Sequence, residues 1–362
     1  MSAEAAAPPA KRWLRREKLL RWSLLMVSLV LAVTLAEVFC RIAFPPLAPV
    51  RFDQDVNALR TFGLEQFADL LQPDAEMFWR LPPSQSLPES AAMNFGIISN
   101  AQRIREDHDI PFQKSPGEFR VLFLGDSCTY GAGVHVRDGY VEQAEQTFRE
   151  KHPGVSVEFI NAGVPGYSLF QGWRYWEVEG HRFQPDLVSV CFGFNDAYPW
   201  DEMSDLEHYR DSQTIEGLRW SRLCQLSWRV LHQPSAPGPR TESRPRLTGE
   251  EFHMLLAKLH ESVQRQGSDL LLISWGLRYQ VLPGGQLLPE QADGPPPHQQ
   301  LLHAFSDASG APLVDLVPVV QNLCQTHSVS EVFLDEVHAT ALADAEVGRH
   351  VAAAVEHFYN SR

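Results

Sequence analysis

The hydrophobic pattern of this chain changes character along its length. Residues 22–36 form a mostly apolar run with no charge, the pattern of a segment that leaves water for lipid or an export channel. From residue 119 onward the period alternates. Short apolar runs rich in β-branched and aromatic residues (119–124, 155–160, 187–192, 270–275 and 312–316) are separated by amphipathic stretches at 140–150, 169–180, 250–266, 298–309 and 340–359. The short runs read as buried strands and the longer ones as helices. Five strands separated by helices predict an α/β fold with a parallel, doubly wound sheet and right-handed crossovers.

Between these regions, residues 45–118 are rich in Pro and polar residues, with short apolar pieces such as 77–81, and read as a stalk packed partly on the core. Two stretches have neither period. Residues 232–246 read as an insertion; residues 282–297, with LPGGQ and a triple proline, follow the fourth strand and suit either an insertion or a lid.

Charge locates the N-terminus. Six Lys or Arg against Glu4 and Glu17 give the first 21 residues +4, leaving −18 of the chain's −14 total for the rest. A basic tail before an apolar run puts that tail in the cytoplasm and the remainder outside. The run is short of the roughly 20 residues a span needs, but continuing through Glu37 and Arg41 to Phe44 completes one if both charges reach toward the headgroups. The long basic tail and a weak cleavage signal at Thr34-Leu35-Ala36 favour an uncleaved anchor over a signal peptide. The expected layout is a cytoplasmic tail (1–21), a transmembrane signal-anchor (22–44), a stalk (45–118) and an extracytoplasmic catalytic domain (119–362). So acidic an ectodomain, with no basic stripe, is a poor partner for nucleic acid.

Four motifs carry the chemistry: GDSCTYG at 125–131, NAGVPGYS at 161–168, GFND at 193–196 and DEVH at 335–338. Ser127 follows the first strand, at the strand tips where open α/β sheets bind ligands. A serine hydroxyl needs a base, and the base needs a group to fix its tautomer. His338 and Asp335, three apart in one turn, supply both. The backbone N–H groups of Ser127 and Gly166 and the side-chain amide of Asn195 are candidate oxyanion donors. Asp126 and Asp196 read as loop braces.

This ordered set resembles the SGNH hydrolase family, the GDSL-like lipases and esterases, with Ser127, Gly166, Asn195 and His338 as its four block residues and Asp335 as the acid. The resemblance covers residue 119 to the C-terminus. It implies a three-layer α/β/α, flavodoxin-like fold with a five-stranded parallel sheet, and serine ester hydrolysis without metal or organic cofactor. Upstream, SNAQRIRE at 99–106 resembles a segment of membrane-anchored members, N-S-x-G-x-R, with Arg103 in place of its glycine and Arg105 matching its arginine.

Other chemistries lack their parts. The glycine-rich segment at 125–133 has no GK[ST] for a P-loop and no third glycine for a dinucleotide fingerprint; HExxH and paired CxxC are absent. His253 and His260 lack a third metal ligand. The five cysteines are too irregular for a disulfide framework. Trp173, Tyr175 and Trp176 read as core, while Trp200, just beyond Asn195, is the candidate for the substrate rim. The expected activity is hydrolysis of an acyl ester, acetyl among the options, with an acylated carbohydrate as one possible partner. Acyl transfer to an envelope or exopolysaccharide glycan, and a noncatalytic glycan- or partner-binding envelope module, stand as alternatives; acyl length and oligomeric state stay open.

Overall fold

The computed structural model describes residues 9–45, 47, 52, 56, 68–86, 98–201, 203–232, 244–282, 286–287 and 297–362. Most of the stretches expected as loops at 232–246 and 282–297, and much of 45–97, lie outside the described residues, as does the side chain of Trp200. Along the chain run helices α1 (Pro9–Ala43), α2 (Ser127–Tyr130), α3 (Tyr140–Lys151), α4 (Leu169–Val178), α5 (Phe194–Ala197), α6 (Asp205–Gly217), α7 (Arg222–Leu231), α8 (Gly249–Arg265), α9 (Pro297–Ser309), α10 (Val317–Thr326), α11 (Val329–Val332) and α12 (Ala341–Asn360). The chain divides into two compact units, one of Met1–Leu47 with Gln213–Gln233, the other of Ala48–Ser212 with Pro234–Arg362.

In the smaller unit α1 runs on from the basic tail through the apolar run without a break. Its stretch Arg16–Ala43 is the one helix, among the described residues, long and apolar enough to cross a membrane. Every described residue from Lys18 to Leu35 is exposed.

The larger unit is built on a five-stranded parallel sheet of β1 (Phe119–Gly125), β2 (Val157–Gly163), β3 (Leu187–Cys191), β4 (Asp269–Ser274) and β5 (Leu313–Asp315), in the order β2-β1-β3-β4-β5. That is the flavodoxin-like order. All seven residues of β1 are buried, as a strand covered on both faces must be. Their side chains alternate between two cores. Val121 and Phe123 pack with α3 and α12; Leu122 and Leu124 pack with α4 and α8. Each such side chain contributes roughly 1.5–3 kcal/mol by leaving water. On the first face α12 and α3 approach so closely that a methyl on Gly348 would lie 2.7 Å from Gln143 Cβ.

Register places the functional rim. Gly125 pairs with Gly163 on one side and with Cys191 on the other, so β1, β2 and β3 end level. The segments that follow them, carrying Ser127, Gly166 and Asn195, therefore leave the sheet at one edge, at the switch point between β1 and β3.

Two local findings refine the sequence reading. The described part of the expected stalk is more than a stalk, for Met77, Phe78, Trp79, Leu81, Ile104 and Ile110 are fully buried in the α4 and α8 side of the core. Gly166 does not end β2 but lies three residues beyond it, at φ +82°. Tyr175 and Trp176 are core residues, and all five cysteines are free thiols.

Candidate active site

Ser127 opens α2 directly after β1. Asp126 caps that helix, its carboxylate accepting from the Cys128 N–H at 2.9 Å, and Gly131 ends it in the left-handed region at φ +75°. The turn lies hard against the end of β2, where a methyl on Gly163 would meet the Tyr130 nitrogen at 2.3 Å. Only glycine lets the Ser127 turn sit there.

His338, the candidate base, arrives from the far end of the sequence. Phe333 and Ala339 form a bridge, Leu334 N–H donates to the His338 carbonyl at 2.9 Å, and the Trp275 indole N–H donates to the Val337 carbonyl at 2.8 Å. In the loop so closed, Asp335 Oδ1 accepts from the N–H groups of Val337 (2.9 Å) and His338 (2.8 Å), leaving Oδ2 for His338 Nδ1 at 2.6 Å. His338 Nε2 lies 2.8 Å from Ser127 Oγ.

Electrostatics fix the proton positions. Half-burial opposes ionisation of Asp335, but the hydrogen bond and charge of His338 and the two backbone amides outweigh it and lower its pKa to about 2. An ionised Asp335 accepts only, so Nδ1 carries the imidazole proton and Nε2 turns its lone pair to the serine hydroxyl. Cys128, next along the chain, is 4% exposed and its thiol is pushed well above its usual range by burial, so it is no rival nucleophile.

The oxyanion side is laced together by buried polar groups. Asp196 accepts from Leu169 N–H (2.7 Å) and Gly193 N–H (2.9 Å), joining the second motif to the third. The Arg246 guanidinium binds Asp205 at 2.9 Å, Gln171 Oε1 at 2.6 Å and the Gly166 carbonyl. The Trp79 indole N–H donates to the Pro165 carbonyl at 3.3 Å, and Tyr167 Oη–H donates to the Trp79 carbonyl at 2.7 Å. Among the described residues the N–H groups of Ser127 and Gly166 donate to no other group. The Asn195 amide donates to Asp126 Oδ2 (3.2 Å) and the Tyr167 carbonyl (3.1 Å), so an oxyanion there takes one hydrogen over from a long bond.

An apolar cavity of about 170 Å³ opens between the segments that follow β3 and β4, walled by Phe192, Phe194, Trp275, Leu277 and Tyr279; Asp126 and Cys128, the chain neighbours of Ser127, line it, whereas Ser127 and His338 do not. No cluster of His, Cys, Asp and Glu suited to a metal occurs among the described residues.

Three positioning groups went unseen in the sequence or were weakly signalled there. Trp79 and Arg246 sit in no motif. Arg105 matched one, and its fully buried guanidinium donates to the carbonyls of Tyr130, Gly131 (2.6 Å) and Val134 (2.8 Å), holding the carboxyl end of the nucleophile turn. Arg103, in place of the motif glycine, takes the glycine conformation at φ +66°.

The GDSL-like lipase/acylhydrolase family matches residues 123–343, well over half of the chain, and the chain belongs to that family. It is a carboxylic ester hydrolase with an SGNH-type α/β fold. Solved structures similar to it include Axe2, an acetylxylan esterase from Geobacillus stearothermophilus, at 15% identity over 65% of this chain and 93% of that one, with a TM-score of 0.43. LAE5, an α/β hydrolase enzyme from the metagenome of Lake Arreo, Spain, is similar at 17% identity over 68% and 98% of the two chains, with a TM-score of 0.46. No curated protein sequence matches the chain.

Proposed function

We propose that the protein is an exported, membrane-anchored serine esterase that removes a short acyl group from an ester through Ser127, His338 and Asp335. The observation that carries this reading is a single imidazole bonded at once to the Ser127 hydroxyl (2.8 Å) and the Asp335 carboxylate (2.6 Å). His338 Nε2 takes the hydroxyl proton as Ser127 Oγ attacks the acyl carbonyl carbon. The developing oxyanion is received by the N–H groups of Ser127 and Gly166 and by Asn195. The imidazolium, stabilised by Asp335, then protonates the departing alkoxide. Water, deprotonated by the same nitrogen, attacks the acyl-enzyme and releases the acid.

The apolar cavity lined by Asp126 and Cys128, the residues on either side of Ser127 in the chain, is the proposed place for the acyl group, and its small volume favours short chains. The layout proposed is that of the sequence reading: a cytoplasmic basic tail, α1 across the membrane and the hydrolase outside. The test is a chain-length profile on aryl esters, from acetyl upward, for the wild type beside Ser127→Ala. A maximum at two to four carbons that disappears in the variant is expected; equal rates from the two proteins would remove the nucleophile.

A further inference from the structure

Where α1 leaves its apolar run it carries two charges, and both are used by one other segment of the same unit. The Glu37 carboxylate accepts from the Ser221 hydroxyl at 2.8 Å and from the backbone N–H groups of Arg222 and Leu223 at 2.9 Å each. It therefore caps the amino end of α7, where free N–H groups and the helix dipole favour an anion. Arg41 binds Glu37 at 2.6 Å and donates to the Trp220 carbonyl. Burial on α1 begins only at Ala36 and Glu37, so α7 meets the helix at its end and leaves the apolar run clear.

The segment so docked is amphipathic and basic. Trp220, Val230 and Leu231 are 67%, 69% and 78% exposed, an apolar display out of place in water. Arg219, Arg222 and Arg229 against Glu216 make residues 213–232 net positive in a chain of net charge −14. An exposed Trp just before a short helix and exposed aliphatic side chains at its end, among arginines and fixed to the end of a membrane-length helix, match the chemistry of an anionic lipid interface.

We propose that α7 lies in the headgroup layer of the membrane that α1 crosses, on the side where α1 ends at Ala43. Trp220, Val230 and Leu231 enter the upper acyl region and the arginines meet lipid phosphates. The proposal rests on the anchored reading above, in which α1 spans the bilayer.

The test uses the full-length protein in vesicles of phosphatidylcholine and phosphatidylglycerol at three to one. With Cys224→Ser as background, since the other four cysteines are buried, a fluorophore sensitive to nitroxide is attached at Leu231→Cys or, separately, at Val33→Cys, the middle of the span. The expected result is at least twofold quenching of the residue 231 label by lipid carrying nitroxide near the headgroup and little by lipid labelled at the chain end, with the reverse order at residue 33. Quenching at residue 33 with none at residue 231 overturns the interfacial helix and leaves the anchor standing. No quenching at either site removes the anchor and the proposal with it. A deep profile at residue 231 also overturns the proposal. Replacing the anionic lipid by phosphatidylcholine is expected to lower shallow quenching at residue 231 by about half; no change refutes the role of the arginines.

Discussion

On the oxyanion side of the site, Asp196, Ser168, Gln171, Asp205 and Arg246 are all buried and bonded to one another or to the backbone of the second and third motifs. On the side of His338, the Asp335 side chain keeps 44% of its exposure and His338 17%, on a surface loop held by one β-bridge and by hydrogen bonds from Leu334 and Trp275. The two halves do different work. An oxyanion hole acts by being in place before charge develops, so its donors gain from a rigid buried lattice. A base that passes a proton first to an alkoxide and then takes one from water must stay within reach of solvent.

The largest effect that separates the halves is expected on the base side itself. His338→Ala should lower kcat by about 10⁶, and Asp335→Asn, which keeps the shape but loses the fixed tautomer, by about 10⁴. Both should lower the unfolding midpoint only modestly, by what the Asp335–His338 contact contributes above about pH 4, because neither breaks a buried lattice. Esterase kinetics beside chemical denaturation measure the pair. A large loss of stability in Asp335→Asn would mean that the base loop is as much a part of the scaffold as the oxyanion side.

Arg246→Gln should behave in the opposite way. It takes the charge partner from Asp205, whose side chain is fully buried, and breaking such a pair costs about 3–5 kcal/mol. The predicted signature is a lowered denaturation midpoint together with a lowered kcat, since the Gly166 carbonyl loses its tether. Asn195→Ala removes a proposed oxyanion donor together with its bonds to Asp126 and the Tyr167 carbonyl, so kcat should fall by about 10²–10³ with KM nearly unchanged. If KM rises instead and kcat holds, Asn195 binds the ground state and the oxyanion assignment fails.

The same division explains what could be read from the sequence. The five strands, five of the helices and the four motifs were legible because each is a local pattern: a short apolar run ending in Gly-Asp-Ser, or an Asp three residues before a His. The sheet order makes those motifs meet. Trp79 and Arg246 were not legible. Their roles depend on a carbonyl about 80 residues away in sequence, at Pro165 and Gly166, and nothing in the local composition of either marks it. Arg105 fell between the two cases, since its motif was visible but the arginine at position 103 obscured it. Glu37 and Arg41, expected to reach toward the headgroups, bond residues 220–223, partners that no local pattern announced.

Two carboxylates carry the contrast into pH dependence. Asp126 is buried, and although the Cys128 N–H and the charge of His338 oppose it, burial raises its pKa to about 6. A group held above its unfolded value, near 3.9 for Asp, binds its proton more tightly in the folded state. Stability from this group is therefore greatest below about pH 4 and falls as pH rises to about 6, by at most about 3 kcal/mol. Asp335, lowered to about 2, has the opposite sign: its contribution is present above about pH 4 and lost as pH falls toward 2. Asp126→Asn should accordingly flatten the decline in stability between pH 4 and 6, whereas Asp335→Asn should flatten only the loss below pH 4. Denaturation midpoints of the full chain at pH 3, 4.5 and 7 measure both slopes. If Asp126→Asn leaves the slope between pH 4.5 and 7 unchanged, the buried carboxylate under the nucleophile is not the group that titrates there, and the oxyanion side is less dry than its packing implies.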